Sequence, residues 1–245
     1  MPRHYNTGLR IKTMKYNLPQ DFARVSIFSS EISDGIMAMG TEEGRQNAKK
    51  FLNKTGAKPA LCHMTQIHEN RIILIDHGGL YENVDGIVTR ENLTLAVKTA
   101  DCVPVMIYDP ETKLIGAIHA GRKSIVGGIL SESLLNILNK CASDPNNLRV
   151  FLGPHIRVAS YNLLPETTSG LKDTKWARFM PEIEGRIHFD QTAATCAELE
   201  EIGIKAENIV DCGIDTFEDG RFFSARRTPK DDKIRFLTVI FKNEN

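Results

Sequence analysis

The centre of the chain holds short apolar runs that are too brief for helices and are separated by turn-forming pairs. Residues 71–76 are rich in β-branched side chains, and runs at 93–98, 103–108 and 114–119 follow. Gly78-Gly79 and Asp109-Pro110 punctuate them as turns punctuate strands. Residues 25–29 and 149–152 read as further strands, and 222–223 and 236–241 as strands that close the C-terminal third. Thr41 followed by Glu42 and Glu43 predicts a helix start, with Ala48, Phe51 and Leu52 as its buried stripe and Gly56 as its stop. Helical spacing returns over 125–141, where Ile125, Ile129, Leu134 and Leu138 mark one face. Asp190 predicts a cap for a helix running to Ile202 and ended by Gly203. Residues 165–186 are polar and show no dominant period. Strands and helices mix without a regular βαβ alternation, so the fold class expected is α+β rather than a doubly wound sheet. No repeat or linker divides the chain, and a single domain over 1–245 is expected.

Lys+Arg and Asp+Glu both number 31, so formal net charge is zero. That gives no electrostatic case for nucleic-acid binding, which draws on a basic surplus. No apolar run approaches the length of a bilayer span. Residues 1–20 carry Arg3, Arg10, Lys12 and Lys15 without an acid and lack the apolar core of a secretory signal. A basic N-terminal arm or first strand is expected there. The five cysteines are odd in number and widely spaced, which points to reduced thiols and a cytoplasmic setting rather than a disulfide framework.

Three phrases carry the chemistry: Thr65-Gln66-Ile67-His68, Ala100-Asp101-Cys102-Val103-Pro104 and His119-Ala120-Gly121. Each sets one soft or borderline ligand beside a strand end or turn. A thiolate and two imidazoles can hold zinc and leave its fourth position open, as catalytic sites do. Read singly, each has a plain structural alternative. Cys102 is also a small buried hydrophobe, His119 a satisfied core residue, and His63 competes for any role given to His68. The three lie far apart in sequence, so a site made from them is assembled by the fold and is no compact zinc finger.

Taken in order, these phrases with Asp85-Gly86-Ile87-Val88-Thr89, Thr99 through Val105, Gly153-Pro154 and Phe222 through Arg227 resemble the laccase-domain proteins. These are also called the YfiH-like or polyphenol-oxidase family. The resemblance runs from residue 22 to the C-terminus. It implies a single-domain layered α/β/β/α fold, shared with the cytotoxic necrotizing factor toxins. It implies a metal held by His68, Cys102 and His119, with zinc as the ion and copper as the alternative. It implies purine nucleoside phosphorylase activity on adenosine, inosine, guanosine and methylthioadenosine, with adenosine deamination beside it. The partners are then a purine nucleoside and phosphate. Phosphorolysis needs an anion site, and the candidate cations are Lys123, Arg226 and Arg227, whose plain alternative is a solvated surface cluster. Gln66 is a candidate donor to a purine or an aligner of the metal ligand. Asp85 is a candidate acid or base, or a turn residue before a glycine. Asp101 is a candidate orienter of the ligand set.

Two further readings stand beside this one. Cys102 activated by His119 would be the nucleophile of a hydrolase or amidase, acting on peptidoglycan precursors by analogy with the family. A degenerate, non-catalytic scaffold is the other, because the family's His-Ala-Gly-Trp-Arg-Gly corner here reads His119-Ala120-Gly121-Arg122-Lys123-Ser124. Its Ser-Thr-Arg-Gly-Gly phrase reads Ser29-Ser30-Glu31-Ile32-Ser33, and its tyrosine-glutamate pair reads Tyr161-Asn162. Laccase chemistry fits least, since it calls for several histidine-rich copper centres.

Overall fold

The computed structural model describes residues 14–57, 60–228 and 234–243. In chain order the first strands are β1 (Met14–Lys15), β2 (Val25–Ser29), β3 (Leu61–Thr65), β4 (Ile72–Leu74) and β5 (Gly79–Glu82). Then come β6 (Gly86–Thr89), β7 (Thr94–Thr99), β8 (Val103–Tyr108), β9 (Ile115–Ala120) and β10 (Arg149–Leu152). The last are β11 (Glu182–Ile183), β12 (Arg186–Ile187), β13 (Ile209–Asp211) and β14 (Phe236–Lys242). The α-helices are α1 (Glu42–Thr55), α2 (Arg122–Val126), α3 (Leu135–Lys140), α4 (Pro165–Leu171) and α5 (Gln191–Glu201).

The strands form two six-stranded sheets, ordered β1-β2-β14-β7-β3-β5 and β13-β10-β8-β9-β6-β4, and β11 and β12 form a small separate ribbon. Side-chain alternation along the central strands sorts residues between the faces. In β8, Val103, Val105 and Ile107 pack with Ile125, Leu138 and Leu199 of the helical layer. Met106 and Tyr108, on the opposite face, pack between the sheets with Leu95, Val97 and Ile240. In β14, Leu237, Val239 and Phe241 pack on Ala48, Phe51 and Leu52 of α1. Three cores therefore separate four layers, helix, sheet, sheet and helices, which is the α/β/β/α arrangement of the expected class.

The expected helix starts and stops are found. Thr41 Oγ1 accepts from the Gly44 N–H at 3.0 Å, and Gly56 ends α1 in the left-handed region at φ 71°. Over 125–141 the four apolar residues do share a buried face, but Gly127-Gly128 interrupts the rod. Gly128 sits at φ 81°, and the chain resumes as a π-helical turn, Ile129–Leu134, that runs into α3. The expected strand at 222–223 is absent. The Phe222 N–H is used locally by the Asp219 carbonyl, and the Phe222 ring packs edge-on against Phe236 at 5.2 Å, so the segment is a turn with a core anchor. Residues 165–186 resolve into α4 with Pro165 in its first turn, a 3₁₀ turn (Lys175–Phe179) and the β11–β12 ribbon. Of the basic arm, residues 1–13 lie outside the described residues, while Lys15 is in β1 and pairs with Phe28 of β2. Among the described residues no helix is long and apolar enough to cross a membrane.

Gly44 fixes the start of α1 against the preceding loop. A Cβ at Gly44 would lie 2.1 Å from the Ala38 carbonyl oxygen and 2.4 Å from its carbon, both backbone atoms that cannot rotate away. Gly44→Ala is expected to cost about 2–3 kcal/mol through overpacking, read as a lower midpoint of thermal unfolding.

Candidate active site

Strand ends place the three ligand candidates together. Cys102 directly precedes β8, and His119 is the penultimate residue of β9, paired in register with Pro104. The β8–β9 pairing thus brings both to one end of the second sheet. His68 follows the end of β3 in the first sheet and adopts φ 61°. Asp85 directly precedes β6, whose pairing with β9 puts it beside His119. The ligand atoms of His68, Cys102 and His119 all lie within 4.8 Å of one another, and theirs is the one such cluster among the described residues. Cys102 Sγ is 3.9 Å from His68 Nε2, and the two imidazole rings meet edge-on at 4.6 Å. His63, the competitor by sequence, is in β3 and stands outside this cluster.

Asp85 ties the histidines to the fold. It is fully buried, and its carboxylate accepts the backbone N–H groups of Ile67 at 3.3 Å, His68 at 3.0 Å and Glu69 at 2.9 Å. The same carboxylate accepts from His119 Nδ1–H at 2.8 Å. One side chain therefore fixes the turn that carries His68 and the tautomer of His119, leaving His119 Nε2 for the cluster. Burial works to raise the Asp85 carboxyl, but the bonds from His119, Glu69 and His68 hold it below the usual range. With its oxygens occupied in this way, Asp85 has the geometry of an orienting group rather than of an acid or base.

Asp101 does the same for Cys102. It sits at φ 87°, costly for a residue with a side chain. Its oxygens accept from Thr216 Oγ1 at 2.7 Å and from the Arg226 N–H at 2.6 Å. Its carbonyl accepts from Ile156 N at 3.0 Å and Gln191 Nε2 at 2.7 Å. Gly121 explains the last residue of its motif: a Cβ there would lie 3.0 Å from Cys102 Sγ and 3.1 Å from His68 Cδ2.

The electrostatics favour a thiolate. Burial works to raise the Cys102 thiol, yet the His119 charge and hydrogen bonds from both histidines bring it down to about 6. Burial works to lower His119, and the Cys102 thiolate and Asp85 push it up to about 9. A thiolate is the form that both binds metal and attacks carbon.

The cluster lines a cavity of about 900 Å³. Lys98, Tyr161, Gln191, Arg226 and Arg235 line it as well. The residues named from sequence divide at this point. Arg226 is at the cavity, its Nη1 donating to Asn162 Oδ1 at 3.0 Å and its guanidinium 5.3 Å from the Tyr161 ring centre. Because Asn162 is an amide, it leaves the Arg226 charge unneutralised. Gln66 also lines the cavity, but its amide is spent on the backbone of β7, donating to the Lys98 carbonyl at 2.7 Å and accepting the Lys98 N–H at 2.9 Å. Lys123 is exposed on α2 and does not line the cavity. Arg227 is turned away, donating to the carbonyls of Thr216, Phe217 and Phe222 as a clamp on the 216–222 turn. Arg122, in the altered corner, sits beside the Tyr161 phenol. Lys98 and Arg235 have no motif in the sequence to mark them, and Tyr161 is marked there only by the altered Tyr161-Asn162 pair. The one available signal was a lysine interrupting the apolar run of β7.

A four-layer α/β/β/α domain with a His-Cys-His cluster at one end of its paired sheets defines the class. Residues 40–242 match the family described as "Multi-copper polyphenol oxidoreductase laccase", and the chain belongs to that family. A protein of Campylobacter jejuni named as a purine nucleoside phosphorylase is 33% identical over 180 residues, covering 73% of this chain and 75% of its own. A Rickettsia prowazekii protein of the same name is 33% identical over 207 residues, covering 79% and 83%. Among solved structures, YfiH of Bacillus licheniformis superposes with a TM-score of 0.80 at 23% identity, covering 91% of this chain and 95% of its own. YlmD of Geobacillus stearothermophilus gives 0.79 at 21%, covering 92% and 94%. At those identities the structural likeness speaks for the fold.

Proposed function

We propose that this chain is a zinc-dependent purine nucleoside phosphorylase that cleaves adenosine, inosine, guanosine or methylthioadenosine with phosphate. The observation that carries the reading is the convergence of His68, Cys102 and His119 within 4.8 Å in the lining of a cavity of about 900 Å³, large enough for a nucleoside. The relatives named as purine nucleoside phosphorylases support it. A thiolate with two imidazole nitrogens suits zinc, and copper takes the same donors. When bound, zinc supplies Lewis-acid charge that stabilises negative charge developing on the substrate.

The chain's own groups do the rest. Asp85 holds both histidines in position, and Asp101 with Gln191 holds the Cys102 turn. Arg226 and Tyr161 form a cationic, aromatic wall suited to a purine or its ribose. Adenosine deamination at the same centre is the accompanying reaction we infer. The family's descriptive name points instead to laccase chemistry, which draws on several histidine-rich centres, whereas the described residues form one ligand cluster.

A second reading has its own observation. Cys102, His119 and Asp85 form a thiolate–imidazole–carboxylate series, with 2.8 Å between the last two, as in Cys-His hydrolases. Amides of peptidoglycan precursors would then be the substrates. Chelation separates the two readings. Phosphorolysis should vanish when metal is stripped and return with stoichiometric zinc. Full turnover by metal-free protein, blocked by alkylation of Cys102, would instead establish the nucleophile.

A further inference from the structure

Among the described residues, Lys98 and Arg235 line the cavity, as Arg226 does, without an ion-pair partner. Lys98 lies near the end of β7 on the face toward α1, and Arg235 directly precedes β14, the strand paired with β7. Among the described residues Lys98 Nζ has no hydrogen-bond or ion-pair partner, and the Arg235 side chain makes one bond, from Nη1 to the Ile234 carbonyl at 2.7 Å. They are close enough that burial, and then the charge of Arg235, hold the Lys98 ammonium below the usual lysine range. Both are half-buried, and a charge partly withdrawn from water is normally shared with a partner. The other cavity cation, Arg226, already spends donors on Asn162.

A neighbouring orphan lies on the opposite face of the same strand. Thr99 follows Lys98, lines the same cavity, and is 1% exposed, yet its hydroxyl has no partner among the described residues. It occupies the inter-sheet face of β7, while His119 occupies the inter-sheet face of β9. Gly40 and Thr41 complete this part of the wall at the start of α1, where the helix offers its positive end. A Cβ at Gly40 would meet nothing within 4 Å, so the backbone there is open to a ligand.

We infer that Lys98 and Arg235 form the binding subsite for inorganic phosphate in the reaction proposed above. This inference rests on the phosphorolytic reading. The anion would lie on the Lys98 and Arg235 side of the cavity, with the nucleoside beside it toward the His-Cys-His cluster. A phosphate oxygen then forms the bond to C1′ as the C1′–N9 bond breaks. The bonding pair leaves with the purine, which takes up a proton, and the sugar departs as its 1-phosphate. Lys98 and Arg235 hold the nucleophile and offset the repulsion between its charges and the leaving base.

The test uses Lys98→Met and Arg235→Gln in the full-length zinc protein, with Lys98→Arg as the charge-preserving control. Each neutral variant should raise KM for phosphate about tenfold to a hundredfold, the loss of one charge-assisted hydrogen bond. KM for inosine and zinc content should stay near wild type, and Lys98→Arg should recover most of the loss. Phosphate alone, without nucleoside, should broaden its ³¹P resonance with wild-type protein and much less with the neutral variants. That binding measurement stands if the neutral variants turn over poorly for other reasons. Phosphate-dependent turnover with unchanged phosphate KM in both variants would overturn the subsite. So would undiminished ³¹P broadening in both, or inosine 5′-monophosphate binding that needs Lys98 while inorganic phosphate binding does not. Broadening that depends on Lys98 and Arg235 in a protein that consumes no nucleoside would uphold the subsite and defeat the phosphorylase reading.

Discussion

Cys102→Ala should leave a folded protein that retains no zinc and releases purine base at least about 10³-fold more slowly than wild type. The side chain is small and only part-buried, so its loss removes little packing, and the stability of the metal-free protein should change by less than about 1 kcal/mol. Its chemistry is another matter. Two imidazoles without the thiolate are a weak site for zinc in competition with water, and they lack the negative charge that Cys102 contributes. Metal analysis, circular dichroism and base release on one preparation check the result. A variant that keeps zinc and turnover would remove Cys102 from the ligand set.

Asp85→Asn should be the most damaging conservative change in the site. The carboxylate accepts from three successive backbone N–H groups and from the His119 ring, all in a fully buried position. An amide has one acceptor oxygen, and it turns an NH₂ group toward donors. Removing one partner of a buried charged network costs about 3 kcal/mol or more, which in a domain of this size lowers the unfolding midpoint by roughly 6–12 °C. Zinc affinity should also fall about tenfold to a hundredfold, since the group that orients both imidazoles is gone. Thermal unfolding of metal-free protein isolates the first effect, and competition with a chromogenic chelator isolates the second. Wild-type stability together with wild-type zinc affinity would show that the Asp85 network does not position the site.

The architecture was largely legible because its determinants are local. Alternation in 103–108 and the Asp-Pro turn after it mark β8, and Thr41 and Gly56 mark the ends of α1 from cap chemistry alone. The meeting of His68, Cys102 and His119 has a related origin: each stands at or near a strand end, where a side chain can face the edge of the sandwich. Charges were harder to read. Arg226 and Arg227 are adjacent, yet one faces the cavity and the other clamps three carbonyls, a difference decided by a turn that closes over residues 216–222. Gln66 looked free to meet a substrate until the edge of β7 came within reach of its amide. Lys98 and Arg235 become neighbours only through the pairing of β7 with β14, far apart in the chain. Phe222-Phe223 has the composition of a strand, but Asp219 captures the backbone N–H that a ladder would need.

The most direct test of the account is product analysis with purified zinc-loaded protein, inosine and inorganic phosphate. The account predicts that hypoxanthine and ribose 1-phosphate appear in equal amounts, that neither forms without phosphate, and that both disappear in the Cys102→Ala protein. Free ribose in place of ribose 1-phosphate, or base release indifferent to phosphate, would contradict it.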